Sequence, residues 1–196
     1  MELRTITDIS TEPVTLAEAR LFITPDTTSD SENAMITAMI KSAREMIEEF
    51  CDLTLGEKTI QVFYHADEVE AKRVRLPAGP HSAMTSGYPV RINQIGTETA
   101  MVLNTDYYKR GDQFWELEFL TSSVNPWGSD VVADDYKIRL VAGYGTSGLE
   151  ALPSIFEDAI KQQVWLWYLR GDDNPVGSLS NQIKSMISKF SKDTWI

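Results

Sequence analysis

Tyr136-Lys-Ile-Arg-Leu-Val141, then Ala142-Gly-Tyr-Gly-Thr-Ser-Gly148, then the run from Ser154 to Arg170 together decide the fold. The first piece alternates as a strand does, with Ile138 and Leu140 on one face and Lys137 and Arg139 on the other. The second is a turn built from residues that tolerate positive φ. In the third, Ser154 and Glu157 stand at capping-box spacing just after Pro153. Ile155, Phe156, Ala159, Ile160, Val164, Trp167 and Tyr168 then recur at helical spacing. The last turns, Val164-Trp-Leu-Trp-Tyr-Leu169, are apolar on every side, so this chain or another chain has to cover them.

Gly143, Gly145 and Gly148 also spell G-x-G-x-x-G between a strand and a helix. Dinucleotide binding needs the helix to open within those glycines, so that its N-terminal N–H groups face the pyrophosphate. Here the helix begins at Ser154, several residues too late, and no second parallel strand with an acidic ribose ligand follows. The motif reads as a plain strand-to-helix turn, and no cofactor is expected.

Working outward, the preceding stretch has a period of two. Thr59–Tyr64, Lys72–Leu76, Val90–Ile95, Ala100–Leu103, Phe114–Phe119 and Tyr136–Val141 are strand candidates. The turn clusters Pro77–Pro80, Ser86-Gly87, Arg110–Asp112 and Asn125–Gly128 separate them. Before them the period is 3.6. Pro13–Arg20 reads as a short helix with a Thr15/Glu18 capping box, ended by Pro25. Ser29 and Glu32 form a further box, opening a helix that runs to about Cys51. Its expected buried stripe is Met35, Ile36, Met39, Ile40, Ala43, Met46, Ile47 and Phe50, with Lys41, Arg44, Glu45, Glu48 and Glu49 solvated opposite.

The expected fold is therefore α+β, a discontinuous helical bundle interrupted by a small antiparallel β-sandwich or barrel-like module. Residues 1–56 form the first helical segment and 57–142 the inserted β module. Residues 143–171 carry the closing long helix, and 172–196 form a linker followed by a weak amphipathic helix. In that tail Leu179, Ile183, Met186, Ile187 and Phe190 make an apolar stripe ahead of Trp195. The helix is too short to hold itself, so it is expected to be mobile in the free subunit and to order in a partner's groove. Trp165, Trp167 and Leu169 join these tail residues as the expected contact with another subunit or a partner, because aromatics are enriched at interface centres.

Composition limits the chemistry. The chain has 196 residues and a net charge of −11, of which residues 1–56 carry −7. That balance opposes gripping nucleic acid, which requires Lys and Arg to neutralise phosphate. The single cysteine, Cys51, excludes an internal disulfide and reads as a small core residue. No apolar h-region follows Met1 and no apolar run approaches a membrane span, so synthesis in a reducing cytoplasm is expected. His65 and His81 are the only histidines. His65-Ala-Asp67-Glu68 lacks a second histidine or thiolate at ligand spacing, so no metal site is expected. Ser147 lacks the flanking glycines of a nucleophile elbow, and no catalytic residue is assigned. Tyr107-Tyr108, Trp165 and Trp167 are read as packing residues rather than a ligand platform.

The order of these pieces resembles the tailed-phage head–tail connector (adaptor) family, in its longer members with a β insertion. The resemblance rests on Pro13-Val-Thr-Leu-Ala-Glu-Ala19, the long Ile/Met/Ala helix ending near Phe50-Cys51, and the Leu76–Pro80 turn. Val90 with Ile92, Tyr107, and the block from Val141 through Leu152-Pro153 to Ile160 complete it. It implies a non-enzymatic subunit of a ring, typically of twelve copies, lying between the portal and the tail or its stopper in the virion. DNA would pass the ring without specific binding, and the subunit would be made in the host bacterial cytoplasm. Another virion or tail-completion assembly protein is the competing reading.

The stripe assignment is testable by itself. Ile40→Ala should destabilise the chain by about 2–5 kcal/mol in urea unfolding. A near-neutral change would mean that the faces of its helix are misassigned.

Overall fold

The computed structural model describes residues 1–23, 30–65, 68, 73–93, 95–120, 135–145, 151–170 and 179–190. The chain divides into two compact units, each assembled from separate pieces of sequence. Met1–Asp8 with Glu57–Leu149 make a β unit, and Ile9–Gly56 with Glu150–Ile196 make a helical unit.

The β unit holds two antiparallel sheets and, among the described residues, no closed barrel. Its strands are β1 (Glu2–Thr7), β2 (Lys58–Tyr64), β3 (Arg73–Arg75), β4 (His81–Met84), β5 (Val90–Ile92), β6 (Glu98–Ala100), β7 (Tyr107–Arg110), β8 (Glu116–Phe119) and β9 (Asp135–Ala142). The larger sheet runs β1-β2-β9-β5-β6, with β4 also on β9; the smaller runs β3-β8-β7. β9 is the hub. Nearly its whole length pairs with β2, while β5 takes the Asp135–Lys137 end of its other edge and β4 takes Leu140–Ala142. The expected alternation holds, since Ile138, Leu140 and Ala142 are buried and Lys137, Arg139 and Val141 are only half-buried. Ile60, Val62, Val74, Tyr107, Trp115, Leu117 and Phe119 close on the same core, so residues of both sheets share one apolar interior.

Three strands are not legible in the sequence. β1 lies within residues 1–56, which read as helical, yet it pairs with β2 at the sheet edge. Every one of its residues is exposed, so no in-and-out alternation marks it. β4 has a register shift between His81 and Ala83 that breaks its period, and β7 buries only Tyr107. Ala100–Leu103 is displaced, for its strand is Glu98–Ala100. At the turn before β8, Gly111 sits at φ +85, and a Cβ there would meet the Phe114 carbonyl oxygen at 2.1 Å. Only glycine fits that position. The expected turn at Asn125–Gly128 lies outside the described residues.

The helical unit comprises α1 (Leu16–Ile23), a 3-10 turn (Asp30–Glu32), α2 (Asn33–Cys51), α3 (Ser154–Arg170), α4 (Asn181–Ile187) and a last 3-10 turn (Ser188–Phe190). α1 opens on the expected capping box. The Thr15 N–H donates to Glu18 Oε2 at 2.8 Å, and the Glu18 N–H donates back to Thr15 Oγ1 at 3.2 Å. Glu32 precedes α2 but makes no side-chain cap, and Pro25 and Ser29 lie outside the described residues. α2 ends where Asp52 adopts the left-handed conformation at φ 55. Ile36, Met39, Ile40, Ala43 and Ile47 are buried as the stripe predicts, whereas Met35, Met46 and Phe50 lie at its margins.

Two residues assigned to the solvated face are in the core instead. Arg44 is 1% exposed and Glu48 is 7% exposed. The cause is the chain on either side of α2. The Arg44 guanidinium donates to Glu12 Oε2 at 2.8 Å and to Glu48 Oε2 at 2.8 Å. The other Glu48 oxygen accepts the Leu55 N–H at 2.8 Å. Charges that bridge three segments have to be inside; Lys41, Glu45 and Glu49 keep access to water as expected.

The tail also departs from expectation. α4 does not await a groove in a partner, because α3 supplies one. Leu179, Ile183 and Ile187 are buried, the Ser180 N–H donates to the buried Gln163 Oε1 at 3.0 Å, and Phe190 lies 4.9 Å from the Phe156 ring. Ser180 caps α4 by accepting the Ile183 N–H. Residues 171–178 and Trp195 lie outside the described residues.

Arg44→Ala should cost about 3–5 kcal/mol by urea unfolding, because it leaves the Glu48 carboxylate buried and unpaired. Lys41→Ala on the exposed face should stay within about 0.5 kcal/mol.

Candidate functional site

The side chains best suited to chemistry are engaged structurally. His81 is 1% exposed at the start of β4. Its Nε2 lies 2.9 Å from the Pro77 carbonyl oxygen, and the Trp115 backbone N–H donates to Nδ1 at 3.1 Å. An Nδ1 that accepts has no proton, so Nε2 carries it and donates to Pro77; the ring is a neutral brace between two turns. His65 is exposed, edge-on to Phe63 and 3.7 Å from Asp135. Asp67 lies outside the described residues, and among those described no cluster of His, Cys, Asp and Glu could hold a metal ion. Gly143 and Gly145 have positive φ, as the turn reading requires, and α3 begins only at Ser154, so these glycines do not open it. Ser147 and Gly148 lie outside the described residues.

Charged groups on the smaller sheet form a surface ladder. Glu118 accepts from Arg110 and from Arg73, at 3.2 Å in the latter case, and Arg73 lies 3.7 Å from Glu116. The Arg110 hydrogen bond, with Arg73 behind it, holds the Glu118 carboxyl below its ordinary range. These are opposite-charge cross-strand pairs that stabilise the sheet face.

What the described residues leave uncovered is apolar surface. On α3, Trp165 is 37% and Leu169 62% exposed; on α1, Leu21 is 69% and Phe22 47% exposed. Their neighbours show how they are arranged. α1 packs on α3. The Glu18 carboxyl is held below its ordinary range first by the Thr15 hydrogen bonds and more weakly by the positive charge of Lys161, which places the first turn of α1 beside the second turn of α3. Further along both helices, Arg20 reaches Asn33 at 3.0 Å and the Tyr168 hydroxyl donates to Glu32 at 2.9 Å, both at the start of α2. α1 and α3 thus run in the same direction. One turn beyond Glu18 comes Phe22, and one and two turns beyond Lys161 come Trp165 and Leu169. The hydrogen bond to Glu32 also raises the Tyr168 hydroxyl above its ordinary range.

Of the contact residues expected from sequence, then, Trp165 and Leu169 retain open surface. Trp167 is 3% exposed and faces the core of its own unit, as do Leu179, Ile183 and Ile187. Met186 and Phe190 are half-buried against α3, with the Gln162 amide 3.9 Å from the Met186 sulfur. Leu21 and Phe22 are absent from the expected set. Their signal in the sequence is two adjacent large apolar residues after Arg20, which the buried face of α1, Ala19 and Ile23, leaves on its outer side.

Neither a family profile nor a curated relative matches the sequence. Solved structures share the fold, among them three from gene transfer agent particles. A chain in the neck of an empty gene transfer agent (GTA) particle, computed with C6 symmetry, superposes with a TM-score of 0.72 at 19% identity. A chain in the virion of a native gene transfer agent particle gives 0.72 at 18%. A chain in the neck of a native particle, computed with C12 symmetry, gives 0.65 at 18%. Each match covers 97% of this chain and 95% of the other.

Cys51 is buried, and desolvation pushes its thiol up to about 12. Iodoacetamide at pH 8 should therefore leave the native chain unmodified and label it rapidly once urea unfolds it. The raised thiol contributes stability that is full below the unfolded value near 9 and is lost as pH climbs toward 12. Cys51→Ala should remove that component of the alkaline loss.

Proposed function

We propose that the chain is a head–tail connector subunit, one copy in a ring between the portal and the tail or its stopper, with a central passage for DNA. The observation that carries this reading is the whole-length likeness to chains from particle necks, which extends through both units and not through one shared motif. The likeness is to the fold, and the ring is our reading of it.

Three further features support a structural rather than a catalytic role. The histidine His81, the cysteine and the glycine turn all serve packing or backbone geometry. The net charge of −11 suits a passage that phosphate must traverse without being held. An exposed apolar surface on α1 and α3 offers a lateral contact, and Trp165 and Leu169 are its centre. On this reading the partners are neighbouring copies, the portal and the tail, no cofactor has a role, and the site of action is the head–tail junction of the virion.

The test pairs the purified chain with its cognate portal. Electron microscopy of the mixture should show a ring seated on the portal, and native mass spectrometry should count its copies. Trp165→Ala with Leu169→Ala should weaken ring assembly by about tenfold or more while the melting temperature of the free chain changes little. A chain that stays monomeric and never binds the portal would defeat the proposal. If the double variant unfolds the free chain, the surface belongs to the core.

A further inference from the structure

We propose that β1 is a pairing edge for a second copy of this chain, two β1 strands joining antiparallel about a two-fold axis with Glu2 of each opposite the partner's Arg4. The inference is independent of the ring reading and concerns the chain free in solution.

β1 is the outermost strand of the larger sheet and pairs only with β2 among the described strands. All six of its residues are exposed. An open edge presents a row of unpaired N–H and C=O groups, which proteins ordinarily blunt with charged side chains, proline or a bulge. The Glu2-Leu-Arg-Thr5 run has no proline and no bulge, the register irregularity coming later, between Thr5 and Thr7. Its two charges are of opposite sign, so they repel a second copy in some registers and attract it in another. Leu3 pairs with the buried Val62 and so continues the apolar face of the sheet, but it is itself 45% exposed. Glu2 and Arg4 sit on the opposite face, over Phe63 and Gln61.

A two-fold axis normal to the sheet keeps each face on its own side, so residues of like parity must stand opposite one another. Centring the axis on Glu2 sets carboxylate against carboxylate, and centring it on Arg4 sets guanidinium against guanidinium; like charges directly opposite are destabilising. Centring on Thr5 runs the pairing into the irregularity at Ile6. Centring on Leu3 avoids all three. It places Glu2 and Arg4 in register twice and buries Leu3 against the partner's Leu3. The two charges already meet within one strand, Arg4 Nη2 lying 2.6 Å from Glu2 Oε1, so the same groups exchange a partner in their own strand for one across the axis.

The full-length chain tests this by light scattering or sedimentation over a concentration series. The wild type should move from 22.1 kDa toward twice that mass. Glu2→Arg and Arg4→Glu should each raise the dissociation constant about tenfold or more, because each creates like-charge pairs. The double variant Glu2→Arg/Arg4→Glu restores every opposite-charge pair and should recover the dimer. That recovery also shows that the single substitutions act at the contact and not on folding. A mass of one chain at every concentration overturns the proposal, as does a double variant no better than the singles. The latter result would point to pairing with a different strand, such as the exposed β6 at the far edge of the same sheet. A larger assembly whose mass ignores all three variants overturns it as well.

Discussion

The path of the chain through the helical unit depends on one buried cation, Arg44. Arg44 cannot lose its proton, so wherever it is enclosed its charge must be met by fixed carboxylates. Glu12 and Glu48 meet it, and Glu48 uses its second oxygen to hold the Leu55 amide. The approach to α1, the middle of α2 and the chain leaving α2 are thereby tied to one guanidinium. A buried ion pair adds little stability over a well-packed apolar replacement, but removing one partner is costly. What the network contributes is position, for it fixes where the chain enters and leaves this group of helices.

How far the sequence discloses such features depends on what each residue's neighbours do. Capping at Thr15 and Glu18 is a contact within four residues and can be read directly. β9 can be read because the two faces of a central strand have distinct environments. Arg44 and Glu48 cannot, since helical periodicity places them opposite the apolar stripe and their partners come from outside the helix. β1 is silent for a related reason: where both faces meet water, a strand has no alternation to show. The tail helix misleads because its weakness alone is visible, while Gln163, the residue that receives it, is a polar side chain ahead of an apolar run.

The candidate surface shows the same limit at finer scale. Trp165 and Trp167 are indistinguishable in a run that is apolar throughout, yet two residues turn a helix by roughly 200°. That rotation puts Trp167 in the core and Trp165 at the surface. The surface can be identified only when the covering by α1, α2 and α4 is known. His81 and Cys51 are committed to packing, and the surfaces left exposed are helix faces in one unit and a strand edge in the other.

Both units are discontinuous in sequence, and this has a consequence for the order in which the protein can be made. α2 leaves the ribosome well before α3, which covers it, because strands β2 to β9 are encoded between them. At about 5–20 residues per second the interval between Ile40 and Ile160 is on the order of ten seconds. Throughout it the apolar stripe of α2 lacks its main native cover, and β2 waits most of the same interval for β9, the strand that joins the larger sheet. Both units are therefore completed by elements that lie close together near the end of the chain, β9 for the larger sheet and α3 for the helices. A chaperone that meets the nascent chain would find two apolar segments still open, the stripe of α2 and the inward face of β2.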